Sequence, residues 1–575
     1  MGYMETYKKW LDFELLDYDL KLELLAIKDD ENEIKERFYK DLEFGTGGLR
    51  GIIGAGSNRM NIYTVRKATQ GLCEDIKNCG EQEAKKGVVI AYDSRNKSYE
   101  FALETAKVVA ANGIKAYLFD ELRPTPELSF AVRYLKASRG VVITASHNPK
   151  QYNGYKVYGD DGGQLPPKSS DYVISIIDKL DVFNDVKVIP EFEARQRGLI
   201  QTIGKEVDDA YLAKVLEQSI NADAVKKLGD DFKIIYSPFH GTGNKPVRRI
   251  LDMIGAKNVM VVKEQELPDG NFPTMKSPNP EDKEGFHLAI EMAKQNPADL
   301  IYATDPDADR IGIIVRNSQG EFITLNGNQV GVLLCEFILR NKKLNNALPN
   351  NGAVIKTIVT TSMIYPIVAD YGVNIHDVLT GFKYIGEKIK DFEDNNYYNE
   401  FLFGFEESYG YLAGTYARDK DAVVAAMLIA EMAADYKLKG LTLYEGLMSL
   451  YEKYGFFLEG AKSIVLEGID GAEQIKRIMT KLRENPIEYY DGVKVKRIWD
   501  VEKGTVVDME KENECDLGLP KSNVLRYDLE GNAWVAVRPS GTEPKIKFYF
   551  GVCEKSYINA QNKLNSFIEN VKNMI

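Results

Sequence analysis

The chain has 575 residues, 44% of them apolar and 28% charged, with a formal net charge of −12; this is ordinary soluble-protein composition and enough length for about three to five domains. The acidic balance without a long basic run argues against nucleic acid as the main partner, and no run of about 18 apolar residues predicts a membrane span. Five scattered cysteines without metal spacing (Cys73, Cys79, Cys335, Cys515, Cys553) argue against a disulfide framework and read as reduced thiols of a cytoplasmic protein, with Cys73 and Cys79 on a helix face.

The opening segment, "MGYMETYKKWLDFELLDYDLKLELL", carries acidic residues throughout and does not read as a signal peptide. From residue 87 the chain alternates strand and helix patterns. "GVVIAYDSR" (87–95) is a predicted strand entering a polar turn, 98–113 an amphipathic helix closed by Gly113, "IKAYLF" (114–119) a strand, 125–137 a helix, and "GVVITASHNP" a third strand. The order then recurs. The second round comprises "FKIIYSPFHGTG" (232–243), a helix at 245–255, "NVMVVK" (258–263), a helix at 283–295, and "DLIYATDPDADR" (299–310). The third comprises "GAVIKTIVTTS" (352–362), a helix at 363–371, "VNIHDVLTG" (373–381), a helix at 383–391, and "EFLFGFEESYG" (400–410). Short apolar strands alternating with helices predict mixed or parallel sheets covered by helices. The C-terminal part departs from this plan: "NAWVAVRPSGTEPKIKFYFGV" (532–552) reads as strand, loop, strand, followed by a helix. The expected fold is therefore α/β, with three related sheet domains and a smaller C-terminal α+β domain. Candidate linkers lie at 195–210, 316–328 and 436–460.

The third strand of each round ends in the most chemically loaded stretch of that round, and ligands of open α/β sheets gather outside the carboxyl ends of strands. In "DPDADR", Asp305, Asp307 and Asp309 alternate at a strand end. Three close carboxylates repel one another unless a cation sits among them, and hard oxygen ligands suit Mg2+ or Ca2+. An EF-hand is excluded because Arg310 and Arg316 stand where it needs Gly and Glu; the other reading is a solvated acidic turn. "RPSGTEPK" (538–545) places Arg538, Ser540, Gly541, Thr542 and Lys545 together, either as an anion cradle or as a plain hairpin turn. "FGTGGLRG" (44–51), ending in Arg50, matches neither a P-loop nor G-x-G-x-x-G, and "FHGTGN" (239–244) reads as a turn. In "GFEESYG", Glu406 and Ser408 fall on one side of an extended segment and suit sugar hydroxyls; in "YARDKDAV", Arg418 and Lys420 suit a phosphate. Each of these two stretches reads equally as an ordinary charged loop. Ser146 and His147 are adjacent, so strand geometry would point them apart and their adjacency is no evidence for a Ser–His dyad. With a cation site and an anion cradle elsewhere, a serine carrying phosphate makes the better chemical sense.

Together, "TASHNP", "DPDADR", "GFEES" and "RPSGTEPK", in this order and across nearly the whole chain, resemble the α-D-phosphohexomutase superfamily of phosphoglucomutases, phosphomannomutases and phosphopentomutase relatives. "FGTGGLRG", "DPDADR" and the length are most similar to the bacterial phosphoglucomutase and phosphopentomutase branch. Pro539 departs from close relatives in that branch, which often carry Gly there. The resemblance implies four domains around a central cleft: 1–205 with the phosphoserine, 206–325 with the metal, 326–450 for the sugar and 455–575 for the phosphate. It implies that Ser146 is phosphorylated, and that Asp305, Asp307 and Asp309 hold one Mg2+ with a phosphoserine oxygen. Arg50, His147, Lys156 and Lys420 would line the cleft, with His147, Lys156 and Lys420 open as the base. Arg310, Thr380 and Gly381 (the latter two in "LTGFKYIG", 379–386), Glu406, Ser408, Arg538, Ser540, Gly541 and Thr542 would bind substrate. The implied reaction converts glucose 1-phosphate and glucose 6-phosphate through glucose 1,6-bisphosphate, which also serves as activator. Ribose or mannose phosphates are the alternatives within the class, and a non-catalytic sugar-phosphate sensor the alternative outside it.

Overall fold

The three rounds form sheets on one plan. In each, the first strand is flanked by the third and the second, and both pairings are parallel. Val88–Tyr92 lies between Arg139–Ile143 and Ala116–Phe119. Lys233–Ser237 lies between Leu300–Thr304 and Asn258–Val261. Gly352–Thr357 lies between Glu400–Glu406 and Asn374–Val378. The inner strands Val88–Tyr92 and Leu300–Thr304 are buried at every position, as expected of parallel strands covered on both faces. The computed structural model describes residues 2–45, 47–396, 398–466, 468–511, 513–540 and 545–574.

The chain divides into two compact units: Met1–Leu325 with Gly386–Asn396 and Tyr409–Gly440, and Asn326–Ile385 with Tyr397–Ser408 and Leu441–Ile575. The first unit holds the first two sheets. Each is extended by antiparallel strands, Tyr152–Tyr158 and Gly48–Ile52 on the first, Ile311–Arg316 and Phe322–Leu325 on the second. Gly154 is required where Tyr152–Tyr158 passes its neighbours: a Cβ there would lie 2.5 Å from the Thr144 carbonyl oxygen and 2.9 Å from that of Leu49. The first core joins Leu72 and Ile76 of helix Ile62–Asn78 and Phe101 and Val108 of helix Ser98–Ala111 to Ile90 and Val141 of the sheet. Ahead of it, helices Tyr3–Leu11, Tyr18–Ala26 and Glu31–Phe38 gather Tyr7, Trp10 and Phe38 against Tyr63 in an aromatic cluster.

The second unit holds the sheet of the third round and an antiparallel C-terminal sheet. That sheet runs Phe456–Val465, Lys545–Glu554, Trp534–Pro539, Leu525–Leu529, Val493–Asp500, Thr505–Asp508 and Asn513–Asp516. Helix Tyr557–Asn570 packs on its first two strands. Ile358, Val359 and Leu379 of the third round share a core with Val524, Trp534 and Tyr549 of this sheet. Arg526 donates to the Ile358 carbonyl and lies between the rings of Trp499 and Trp534.

None of the expected linkers is a bare connection. The 195–210 segment contains Ile200–Ile203, a parallel partner of Ala116–Phe119, and enters helix Lys205–Leu216. The 316–328 segment closes a hairpin, and 436–460 contains helix Leu443–Tyr454. Unit boundaries nonetheless fall inside two of them, at Leu325/Asn326 and at Gly440/Leu441. Cys73 is buried within its helix while Cys79 is the exposed residue after the helix end, so the two do not share a face; all five cysteines are free thiols. Among the described residues, no helix is long and apolar enough to cross a membrane.

Lys356, fully buried, pairs with Asp377 at 2.7 Å. Burial alone would raise the Asp377 carboxyl, but the Lys356 ammonium outweighs it and holds the group below its ordinary value. Its contribution to stability is therefore present above about pH 4 and is lost as pH falls below that. We expect Lys356→Met to destabilise the second unit by about 3 kcal/mol in urea unfolding. Asp377→Asn should flatten the acid limb of a circular-dichroism pH titration, and an unaltered limb would rule out this pair as its source.

Candidate active site

Strand Arg139–Ile143 stops at a turn in which Ser146 takes φ +53°, the left-handed region. For a residue with a Cβ this costs about 1 kcal/mol, so the surroundings must hold it. The Ser146 N–H donates to Thr144 Oγ1 at 2.8 Å. Arg95, whose side chain is wholly buried, donates to the carbonyls of Ser146, Asn148, Pro149 and Tyr152 and pairs with Asp93 at 3.4 Å. One planar fork thus grips four carbonyls of the serine turn. Ser277 Oγ donates to the His147 carbonyl at 2.6 Å.

The turn conformation overturns the expectation for Ser146 and His147. The segment is not a strand, so adjacent side chains do not alternate, and Ser146 Oγ lies 3.1 Å from His147 Nδ1. Ser146 Oγ also donates to Asp305 Oδ2 at 2.9 Å. Burial, with Arg310 and Arg50 nearby, holds the His147 pKa well below its ordinary 6.5, favouring the neutral ring.

Asp305, Asp307 and Asp309 lie in the loop joining Leu300–Thr304 to Ile311–Arg316, all buried, with a carboxylate oxygen from each within 4.8 Å of the others. Asp305 Oδ1 accepts from the N–H groups of Asp309 and Arg310 at 3.2 and 3.1 Å. Thr125 Oγ1 donates to Asp307 Oδ2 at 2.9 Å. Lys156 Nζ donates to the same oxygen at 3.0 Å, and Lys420 Nζ lies 2.9 Å from Asp309 Oδ2. Burial, then Asp309 and Asp307, push the Asp305 carboxyl well above its ordinary range. Burial acts on Asp307 in the same sense, but Lys156 and Lys420 outweigh it and hold that group low. Asp307 Oδ1 and Asp309 Oδ1 are buried and have no hydrogen-bond partner. Oxygen-only donors, three converging carboxylates and orphaned oxygens fit a hard divalent cation, so these three residues can hold a metal ion.

The supports of Lys156 and Lys420 come from separate elements. Lys156 sits in strand Tyr152–Tyr158. Lys420 follows Asp419, which accepts from Tyr158 at 2.7 Å, and precedes Asp421, which caps helix Ala422–Leu438. Arg50 NH1 donates to Asn148 Oδ1 at 3.2 Å, and Arg310 NH1 to Glu281 Oε1 at 3.1 Å. The first unit thus brings together Ser146, His147, Lys156, Lys420 and the aspartates, with Arg50 on the serine turn and Arg310 on the aspartate loop.

The second unit carries the remaining candidates. Thr380 and Gly381 follow strand Asn374–Val378, and Glu406 ends strand Glu400–Glu406. Ser408 lies in the turn beyond, not on an extended segment with Glu406, so the predicted shared side does not hold. Glu407, which sequence reasoning passed over, accepts from Thr357 and Thr360 at 3.1 and 3.2 Å. Arg538 lies in strand Trp534–Pro539, and the Ser540 N–H donates to the Lys545 carbonyl at 2.7 Å. Gly541 and Thr542 lie outside the described residues. Also missed were Arg95 and Thr125; the only signal for Arg95 was its place at the end of a first strand.

"FHGTGN" is a turn, as expected, but a structural one with a purpose. The Thr242 N–H donates to the Pro306 carbonyl at 2.8 Å, and a Cβ on Gly241 would lie 2.5 Å from Pro306 Cα. Only glycine lets the two loops touch.

Four family profiles match in succession: phosphoglucomutase/phosphomannomutase alpha/beta/alpha domain I at 41–182, domain II at 209–320, domain III at 326–454, and the C-terminal domain at 490–562. The chain belongs to the phosphoglucomutase/phosphomannomutase family. Among similar proteins, a phosphoglucomutase of Staphylococcus epidermidis is 39% identical over 98% of this chain and 99% of its own length. One of Staphylococcus aureus is 37% identical, covering 93% and 94%. Two solved structures share the fold: pp63/parafusin, a phosphoglucomutase of Paramecium (TM-score 0.68, 18% identity, 93% and 95% covered), and a phosphoglucomutase/phosphomannomutase family protein of Burkholderia thailandensis (TM-score 0.66, 18% identity, 92% and 97% covered).

Calorimetric titration with Mn2+ should show one site per chain. Asp307→Asn or Asp309→Asn should weaken it by at least about tenfold, since even outer-shell changes cost that much. Unchanged affinity in both variants would remove the triad as the metal site.

Proposed function

We propose that this chain is a phosphoglucomutase that interconverts α-D-glucose 1-phosphate and glucose 6-phosphate through a phosphoserine and a bisphosphate intermediate. The observation that carries the reading is Ser146 Oγ bonded to Asp305 within a buried, incompletely paired carboxylate triad. Relatives 37–39% identical over nearly their full length bear the same name.

In this reading Ser146 carries the phosphoryl group, and Asp305, Asp307 and Asp309, with the phosphorylated Ser146, would hold Mg2+. Bound there, the ion would supply positive charge to the phosphoryl oxygens. The Arg95 grip fixes the Ser146 backbone, so the transferred group starts from one position. A sugar hydroxyl attacks phosphorus, the bond to Ser146 Oγ breaks, and the hydroxyl proton passes to a base. Lys156, His147 and Lys420 are the candidates for that base, and His147 is the one whose surroundings favour a neutral form. The resulting glucose 1,6-bisphosphate turns over, returns its other phosphate to Ser146 and leaves the isomer; added in trace, it rephosphorylates the enzyme. Arg50 and Arg310 attract substrate phosphate oxygens.

Thr380, Gly381, Glu406 and Ser408 recognise the sugar, and Arg538, Ser540, Gly541 and Thr542 hold the distal phosphate. Domain assignments follow: 1–205 phosphoserine, 206–325 metal, 326–450 sugar, 455–575 phosphate. Five free thiols support a cytoplasmic location.

The test supplies Mg2+, a trace of glucose 1,6-bisphosphate, and glucose, mannose or ribose 1-phosphate in parallel, following formation of the 6- or 5-phosphate. Glucose 1-phosphate should be converted fastest, and Ser146→Ala should lose at least about 1000-fold in kcat. Preference for ribose or mannose phosphate would overturn the substrate. Binding without turnover of any sugar phosphate would establish a sensor instead.

A further inference from the structure

Between strand Asn258–Val261 and helix His287–Gln295, residues 266–282 carry no helix or strand. Irregular loops longer than about 15 residues are uncommon in compact domains and usually serve function. This loop belongs to the second round, yet it seats on the first round at three places. The Asn96 side-chain amide donates to Asn271 Oδ1 at 3.1 Å, and a Cβ on Gly270 would lie 2.4 Å from the Asn96 backbone nitrogen. Ser277 Oγ donates to the His147 carbonyl at 2.6 Å. Between these contacts the Arg95 guanidinium lies over the Phe272 ring, 5.2 Å from its centroid.

Arg95 is the side chain that grips the Ser146 turn. Its N–H groups point in the guanidinium plane at four carbonyls and at Asp93. In-plane bonds do not restrain the group from tilting out of that plane, and a ring against its face does. Both side chains are buried, Phe272 to 1% exposure, and a cation gains most from a ring where water is excluded.

The loop is itself pinned behind Phe272. His240 Nδ1 lies 3.0 Å from the Leu267 carbonyl and His240 Nε2 lies 3.2 Å from Thr274 Oγ1, so one imidazole holds the loop on both sides of the ring. Gln265, fully buried, accepts from Ser237 Oγ and donates to Thr274 Oγ1 at 3.1 Å. With the imidazole proton on Nδ1, each donor in this network meets an acceptor. Phe239, His240 and Phe272 take φ of +43°, +59° and +46°. Left-handed backbone on residues with a Cβ persists only where the surroundings over-determine it, and it clusters at functional sites.

We propose that the 266–282 loop is a positioning element of the phosphoryl-transfer centre, with Phe272 the residue that holds Arg95 and, through it, the Ser146 turn. The effect on turnover rests on the phosphoserine reading above; the effect on the backbone of the turn does not.

The test replaces Phe272 with Leu and, separately, with 3,5-difluoro- and 3,4,5-trifluorophenylalanine. Fluorine strips negative charge from the ring face at nearly constant size, so these two variants read the contact even where Phe272→Leu fails to fold. Hydrogen exchange of the full chain comes first. Amides from Thr144 to Tyr152 should exchange about tenfold faster in Phe272→Leu, with the fluorinated rings graded between it and the parent, while helix Ile62–Asn78 keeps its protection. Unchanged exchange in the turn overturns the proposal. So does exchange that rises evenly across the first unit, or that ignores the number of fluorines, because Phe272 then only fills space. In the mutase assay kcat should follow the same order and fall about tenfold, with KM for glucose 1-phosphate held within about twofold. A raised KM with kcat intact also overturns it. Failure of the phosphoserine reading shows separately, as a parent chain that converts no sugar phosphate, and the exchange data then still decide whether Phe272 holds the turn.

Discussion

Three carboxylates buried within 4.8 Å of one another are the constraint around which the first unit is organised. Two unit charges at about 4 Å repel by roughly 4 kcal/mol at an effective dielectric constant near 20, and burial adds to that cost. The fold answers with cations placed to match: Lys156 from a strand of the first sheet, Lys420 from the loop that caps helix Ala422–Leu438. Each lysine is itself fixed by elements distant in sequence. The aspartate loop therefore ties together parts of the first sheet, the second sheet and the 409–440 segment. Asp307 Oδ1 and both carboxylate oxygens of Asp309 lack hydrogen-bond partners, and that remainder is what a divalent cation would satisfy.

Much of this was legible in the sequence, because strand tips obey simple rules. Apolar runs of strand length, repeated in the same order three times, foretold three sheets. The aspartate loop was legible because carboxylates alternating after a buried strand are held close together, and close carboxylates require positive charge among them. What was illegible depends on backbone conformation. Ser146 in the left-handed region brings His147 alongside it, and no pattern of residue types reports a positive φ on serine. Ser408 was misplaced for a related reason: strand Glu400–Glu406 ends before it, and an alternation rule applied past a strand end has no content. The N-terminal aromatic cluster was also illegible. Its members become neighbours only by packing of three short helices, and packing between elements leaves no local periodicity.

The repeat also extends beyond the strands to a division of labour between loops. Because the first and third strands of each round are parallel neighbours, the loops at their carboxyl ends lie side by side. In the first round Arg95, after the first strand, grips the carbonyls of the Ser146 turn after the third. In the second, Thr242 bonds to the Pro306 carbonyl within the aspartate loop. In the third, Thr357 and Thr360 donate to Glu407. The groups differ (a guanidinium, a backbone N–H, two hydroxyls), but in each of these bonds the first loop donates and the third accepts. A strand tip that must present reactive groups leaves carbonyls or carboxylates to be satisfied, and the adjacent loop is the nearest source of donors. "YDSR" and "FHGTGN", stretches with no evident chemistry of their own, are for this reason specified as closely as the motifs beside them.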